Sequence, residues 1–266
     1  MKTWAISNQK GGVGKTTTVV TLAGLLSAQG KRVLCIDLDP QGSLTSYFRF
    51  DPDTIQKSVY NLFKDSSEKI AVEPRKYIHN TSFVGLDVLP ASVALATLDR
   101  QASKFKGLGL VMSNALKKLE SSYDIVLIDS PPMLGVLMIN ALAACDHLVI
   151  PVQTEFLALK GLERMMKTLK MIQHTRQKPL EYTIIPTMFD KRTRASISSL
   201  NSLRNRYKGR LWRGYISIDT QLREASRVGV PAPILAPKSR AVLAYDKLLQ
   251  SIWDEKAKLT LVSNDG

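Results

Sequence analysis

Trp4-Ala5-Ile6-Ser7-Asn8-Gln9-Lys10-Gly11-Gly12-Val13-Gly14-Lys15-Thr16-Thr17 decides the fold. It begins as a short β-prone run, turns through glycines, and opens into residues 15–29. There Val19, Leu22, Ala23, Leu25 and Leu26 recur with helical spacing. A strand, a glycine turn and a helix in that order aim backbone N–H groups and a helix N-terminus at one point, which cradles phosphate oxygens. Lys15 is placed to reach the outer phosphates of a nucleoside triphosphate, and the Thr16 hydroxyl to ligate Mg²⁺. Lys10, Gly11, Gly12, Val13, Gly14, Lys15, Thr16 and Thr17 are therefore the candidate nucleotide-binding set. The alternative is an ordinary glycine-rich turn.

Outward from the loop, β-rich runs alternate with helical stretches. Residues 32–36, 86–89, 124–128, 147–150 and 182–185 are short and apolar on both faces. Such strands belong to a parallel sheet covered on each side. The repetition predicts a doubly wound, mostly parallel α/β fold with ligands beyond the carboxyl ends of the strands. Residues 51–80 read as a helix with surface loops. Residues 226–240, with Pro231, Pro233 and Pro237, read as irregular chain before a last helix over 241–255. Repeats and low-complexity linkers are lacking, so a single domain over 1–266 is expected.

Composition narrows the classes. With 266 residues, 44% apolar and 23% charged, the chain is long enough for one large core and is neither disordered nor fibrous. Its apolar runs fall short of the roughly 18 residues of a membrane span. The start, Met1-Lys2-Thr3-Trp4, lacks a secretory layout. Cys35 and Cys145 lie in apolar stretches and read as core thiols of a cytosolic protein. His79, His147 and His174 are scattered and form no metal-ligand pattern.

The net charge is +14, and it is uneven. Residues 1–150 carry 16 basic and 13 acidic side chains, residues 151–266 carry 21 and 10. Between 191 and 218 stand Lys191, Arg192, Arg194, Arg204, Arg206, Lys208, Arg210 and Arg213, with no acid among them and Tyr207 and Trp212 interleaved. Phosphate contacts without sequence preference would explain that run. An acidic protein partner and a solvated face are the other readings. Arg223, Arg227, Lys238 and Arg240 would extend it.

Three carboxylates fall at strand ends. Asp129 closes an apolar strand beside the loop, where a buried charge is tolerated only against a cation or donors, so it is a candidate for the Mg²⁺ hydration shell. Asp37 and Asp39, two residues apart, point the same way if extended. Their repulsion calls for a metal or water between them. A cap or turn role is the alternative for either.

The loop departs from the usual Gly-x-x-x-x-Gly-Lys-Thr: Gln9 holds the first glycine position and Lys10 is an added lysine. In this it resembles the deviant loop of the ParA/MinD family of cytosolic partitioning ATPases. Asp37-Leu38-Asp39-Pro40-Gln41-Gly42, Ile128-Asp129-Ser130-Pro131-Pro132, Ile150-Pro151-Val152-Gln153-Thr154-Glu155 and Thr187-Met188-Phe189-Asp190-Lys191-Arg192-Thr193 are similar to later family motifs in the same order. The resemblance thus spans nearly the whole chain. It implies ATP and Mg²⁺ as ligands, slow hydrolysis, Asp39 positioning the attacking water, and Asp37 assisting Mg²⁺ through water. It also implies that Lys10, idle in an isolated site, crosses to the partner chain's phosphates in an ATP-sandwiched homodimer, as an arginine finger does. Met188 and Asp190 become candidates beside the nucleotide, with core packing the alternative for Met188.

The same resemblance implies nonspecific double-stranded DNA as a matrix, contacted by Arg192, Arg194, Arg204, Arg206, Lys208, Arg210, Arg213 and Arg223, and an adaptor protein that stimulates hydrolysis. Two departures stand out: the family arginine tied to DNA falls at Gln221, with Arg223 a candidate substitute, and a family proline falls at Ser217. The family's MinD branch ends in a basic amphipathic helix. Leu259, Leu261 and Val262 form no such stripe, so direct membrane binding is not expected. The first strand starts the chain, so an N-terminal DNA-binding extension is not expected either. Residues 39–48 look most like the ParA-like, ParC-type proteins of chemotaxis clusters, which implies a receptor array at the cell pole as cargo, with chromosome or plasmid DNA the other choice. Two alternatives share the loop. Iron–sulfur carriers require clustered cysteines, which this chain lacks. A flagellar-number type regulator would act through a protein partner without DNA.

Overall fold

The computed structural model describes residues 1–101, 108–174, 176 and 178–262, with side chains described at 1–98, 108–174, 176 and 178–253. Among them, strands β1 (Lys2–Ile6), β2 (Val33–Asp37), β3 (His79–Asn80), β4 (Leu86–Leu89), β5 (Ile125–Asp129), β6 (His147–Gln153) and β7 (Glu181–Thr187) form one sheet in the order β3-β4-β2-β5-β1-β6-β7. All pairings are parallel except the two-residue edge strand β3 on β4. The helices are α1 (Lys15–Ala28), α2 (Ser43–Tyr47), α3 (Val59–Ser67), α4 (Ala96–Gln101), α5 (Val111–Lys117), α6 (Val136–Ala144), α7 (Phe156–Gln173), α8 (Arg194–Arg206), α9 (Thr220–Val228), α10 (Ala232–Leu235) and α11 (Arg240–Val262).

The two-residue period of the strands splits the core between the sheet's faces. Ala5, Leu34, Ile36, Val126 and Ile128 join the layer packed by α3, α5, α6 and α7. Their neighbours Trp4, Ile6, Val33, Cys35, Ile125 and Leu127 join the layer packed by α1 and α11. Both cysteines are buried free thiols. Register positions the site: Ile6 lies opposite Asp129, and Asp129 opposite Asp37. The ends of β1, β2 and β5 are thus level, and the phosphate loop and both carboxylates emerge together at one edge.

The doubly wound, mostly parallel fold expected from the sequence is the fold observed. Residues 226–240 are more regular than expected. α9 starts on Asp219, whose side chain accepts from the Gln221 N–H, and ends on Gly229 with φ of 73°. α10 tolerates Pro231 and Pro233 because a helix's first turn leaves its N–H groups free of intrahelical partners. The last helix forms as expected, and in α11 Val242, Tyr245, Leu248, Leu249 and Ile252 are buried and Trp253 packs beside them. The tail side chains weighed against a membrane anchor lie outside the described residues. No described helix is long and apolar enough to cross a membrane.

Candidate nucleotide-binding site

Gly12 and Gly14 adopt left-handed conformations, φ 73° and 89°, which a side chain would strain. Gly14 caps α1 without a side-chain hydrogen bond, and no acid sits in the helix's first turn. The first N–H groups of α1 are therefore open to an anion at the positive end of the helix. Tertiary bonds hold the loop open. Asn8 Nδ2 donates to the Pro151 carbonyl at 2.7 Å, and Asn8 Oδ1 accepts from the Lys10 N–H at 3.1 Å. Gln9 Nε2 donates to Thr168 Oγ1 on α7 at 2.7 Å, and Thr187 Oγ1 donates to the Val13 carbonyl at 2.9 Å. Elements β6, α7 and β7 thus brace a loop that begins on β1.

Thr16 Oγ1 donates to Asp129 Oδ2 at 2.5 Å, so two of the three residues expected at Mg²⁺ are in contact. Asp129 is 1% exposed, and its Oδ1 has no hydrogen-bond partner. Burial, together with the buried Asp37 on the facing strand, pushes the Asp129 carboxyl well above the usual carboxylate range. A buried acid with one free oxygen beside a hydroxyl is a donor set suited to a hard divalent cation and its waters. The hydroxyls of Ser7 and Ser130, where β1 and β5 end, are also buried without partners.

Asp37 is used differently from its neighbours. Its Oδ2 accepts from the Thr45 N–H at 2.8 Å and from Thr45 Oγ1 at 2.7 Å, and its Oδ1 accepts from the Asp39 N–H at 3.1 Å. Both oxygens serve the turn into α2, which is the turn role named as the alternative. Burial pushes Asp37 up to about 6 despite those bonds. Asp39 is half-buried, its Oδ1 accepting from the Gln41 N–H at 3.0 Å, and its charge is felt at Lys15. Lys15 is 8% exposed, and burial lowers its pKa against the pull of Asp129 and Asp39.

Lys10 is not idle within one chain, contrary to the expectation: its Nζ ion-pairs with Glu155, which caps α7. A Cβ at Gly161 of α7 would lie 3.0 Å from Lys10 Cβ, so any larger residue there would push on the loop. Gly161 carries no sequence signal that would have singled it out, and Glu155, although it closes a family-like motif, carries none for this pairing. Their importance comes from α7 crossing the loop.

Beside the loop lies a cavity of about 440 Å³ lined by Gly14, Thr17, Met188, Ile218, Leu222 and Arg223 among others. Met188 has φ of 52° and is 36% exposed, so it faces the cleft and is not core packing. Asp190 does not line this cavity. It lines an adjoining one, and its carboxylate is held by Arg192 through Nε at 2.9 Å and Nη2 at 2.8 Å, which pulls it down to about 2. Arg223 sits on the cavity face of α9 with Leu222 and Ser226, whereas Gln221 is off that face. Residues two positions apart on a helix point roughly 200° away from each other, so Arg223 and Gln221 lie on different faces of α9.

The basic run is partly neutralised by acids from outside it. Arg192 pairs with Asp190, Arg206 with Glu163 at 2.8 Å, and Arg210 with Glu181. Arg204, Lys208 and Arg213 instead line one concave surface beyond the end of α8, with no acid among its lining residues. Arg194 opens α8 at the opposite end of that helix, nearer the nucleotide cleft. The eight cations are therefore not one patch.

A braced phosphate loop, an acid at the neighbouring strand end and a cavity beside the loop define a P-loop nucleotide-binding ATPase. A sequence model of the AAA_31 family, an AAA domain, matches residues 1–182. Over 249 residues the chain is 35% identical to the sporulation initiation inhibitor protein Soj of Bacillus subtilis, covering 93% of this chain and 96% of that one. It is 31% identical over 255 residues to the chromosome partitioning protein ParA of Caulobacter vibrioides, covering 95% and 94%. A crystal structure of cobyrinic acid a,c-diamide synthase from Mycobacterium smegmatis, with bound ATP analogue and magnesium, matches with a TM-score of 0.81 at 32% identity, covering 95% and 94%. The chain belongs to the ParA-like AAA_31 family of ATPases.

Proposed function

We propose that this chain is a single-domain, ATP-dependent dimerising switch that positions a cellular cargo over a matrix of nonspecific double-stranded DNA. The observation that carries the reading is the buried Asp129, one oxygen held by Thr16 and the other without a partner, beside an uncapped helix N-terminus. That arrangement fits Mg²⁺ held by Thr16 and Asp129 and a triphosphate on the N–H groups of residues 11–17. Mg²⁺ when bound would neutralise charge on the outer phosphates. Lys15 offsets charge at the same phosphates, Asp39 orients the water, and Asp37 supports the site through the turn it holds. Lys10, in the deviant form of the loop, leaves Glu155 and acts on the nucleotide of a second copy. The base occupies the cavity beside Met188.

A partition or positioning role is supported by the likeness to Caulobacter ParA. The motif at residues 39–48 favours the ParC-type branch, and with it a chemoreceptor array as cargo and a cytoplasmic, nucleoid or polar location. Hydrolysis is slow until an adaptor protein stimulates it. Among the described residues of the run 191–213, Lys191, Arg194, Arg204, Lys208 and Arg213 are exposed cations outside the ion pairs of Arg192, Arg206 and Arg210, and exposed pairs such as Arg206–Glu163 are weak enough to exchange for phosphate. The test is DNA binding by Asp39→Ala with ATP and Mg²⁺ over a salt series. Each chain that makes about three phosphate contacts adds roughly −2.7 to the log–log slope. Replacing Arg204, Lys208 and Arg213 by Ala should remove most of that slope and leave ATP binding intact. A trapped dimer that ignores DNA at low salt would favour the regulator that acts through a protein partner.

A further inference from the structure

We infer that Arg223 is a base-contacting residue of the nucleotide cavity, where its guanidinium stacks on the purine and helps set nucleotide affinity. This rests on the nucleotide reading above and assigns Arg223 away from the DNA surface. The first observation is placement. Leu222, Arg223 and Ser226 share the α9 face that lines the cavity also bordered by Gly14 and Thr17 of the phosphate loop. The second is availability. Glu224, the acid next in sequence, is taken by Arg227 at 2.5 Å, and Asp219 spends its two oxygens on the Gln221 and Ala241 N–H groups, each at 3.0 Å. Arg223 forms no ion pair among the described residues.

The third observation is the chemistry of the walls. Met188, Ile216, Ile218 and Leu222 give the cavity apolar surface near the loop, suited to a flat ring, and Gln153, Ser217 and Ser226 add polar groups to its walls. A planar, weakly hydrated guanidinium at the rim of such a slot stacks on an aromatic face better than it hydrates. It would cover the open side of the base while the loop holds the phosphates. Gln221, on the far side of the helix, makes no such contact.

The experiment compares binding of Mg·ATP and of magnesium tripolyphosphate, which has the phosphates without the base, by calorimetry on the wild-type chain and on Arg223→Ala, Arg223→Lys and Gln221→Ala. Arg223→Ala should weaken ATP about tenfold and leave tripolyphosphate unchanged. Arg223→Lys should recover little, because it restores charge without the plane, and Gln221→Ala should match wild type. Equal losses for both ligands, recovery by Lys, or unchanged ATP affinity would each overturn the assignment. So would loss of DNA binding by Arg223→Ala at saturating ATP. If the wild-type chain bound neither ligand, the nucleotide reading itself would fail.

Discussion

Asp129→Asn should make the empty protein more stable and the loaded protein less so. Asp129 is 1% exposed, faces the buried Asp37 across paired strands, and leaves Oδ1 without a partner. A buried carboxylate that lacks a cation loses several kcal/mol of hydration on ionising, a penalty the neutral amide avoids. The amide keeps the acceptor for Thr16 Oγ1 but brings an N–H₂ group that, if unmatched, costs about 1–3 kcal/mol. The balance is a gain of about 2 kcal/mol for the nucleotide-free chain, or about 4 °C in Tm for a chain of this size. In the opposite direction, Mg·ATP at about 1,000 times Kd stabilises the wild-type chain by about 4.1 kcal/mol, and most of that should vanish in the variant. Calorimetric melting in chelator and then in Mg·ATP reads both, and the order of the two Tm values should invert. A nucleotide-free variant that melts below wild type, or one with the full Mg·ATP shift, would refute the view that this carboxylate is placed for a cation.

Asp37 supplies a pH dependence. Burial raises its carboxyl from 3.8 to about 6, so the folded chain binds that proton more tightly than the unfolded one. The group therefore favours folding most below about pH 4, and about 3 kcal/mol is lost as pH rises through 6. In nucleotide-free urea unfolding from pH 4.5 to 7.5, wild type should lose about 2 kcal/mol of stability relative to Asp37→Asn, because at pH 4.5 the unfolded carboxyl is already mostly ionised, and parallel curves would contradict it. Gly161→Ala should gain about 1 kcal/mol of helix propensity and lose a similar amount where the new Cβ meets Lys10 at 3.0 Å. Net stability should change little while ATP affinity falls, as titration calorimetry would show. Unchanged affinity would mean the loop yields freely.

The sheet, the loop and the strand-end acids were legible because each is a local pattern: an apolar run, a glycine turn, a carboxylate after a strand. β3 was not, since two residues on an edge carry no period. The capped helix at Thr220–Val228 was overlooked because three nearby prolines outweighed Asp219 and Gly229 as start and stop signals. The chemistry of Asp37 was ambiguous from spacing alone, because the bonds it accepts from Thr45 and Asp39 come from residues whose approach the spacing does not show. The basic run showed its charge but not its counter-ions, because Glu163 and Glu181 come from α7 and β7. Arg223 and Lys10 share the same lesson. Position in sequence named them, and helix phase and a crossing helix gave them their neighbours.

Light scattering after size exclusion, with ATP and Mg²⁺ present, tests the central claim most directly. The account requires Asp39→Ala to elute at twice the chain mass and Lys10→Ala, which still binds ATP, to stay at the mass of one chain. An Asp39→Ala protein that remains monomeric, or a Lys10→Ala protein that dimerises as wild type does, would contradict a switch in which Lys10 leaves Glu155 to complete a second copy's site.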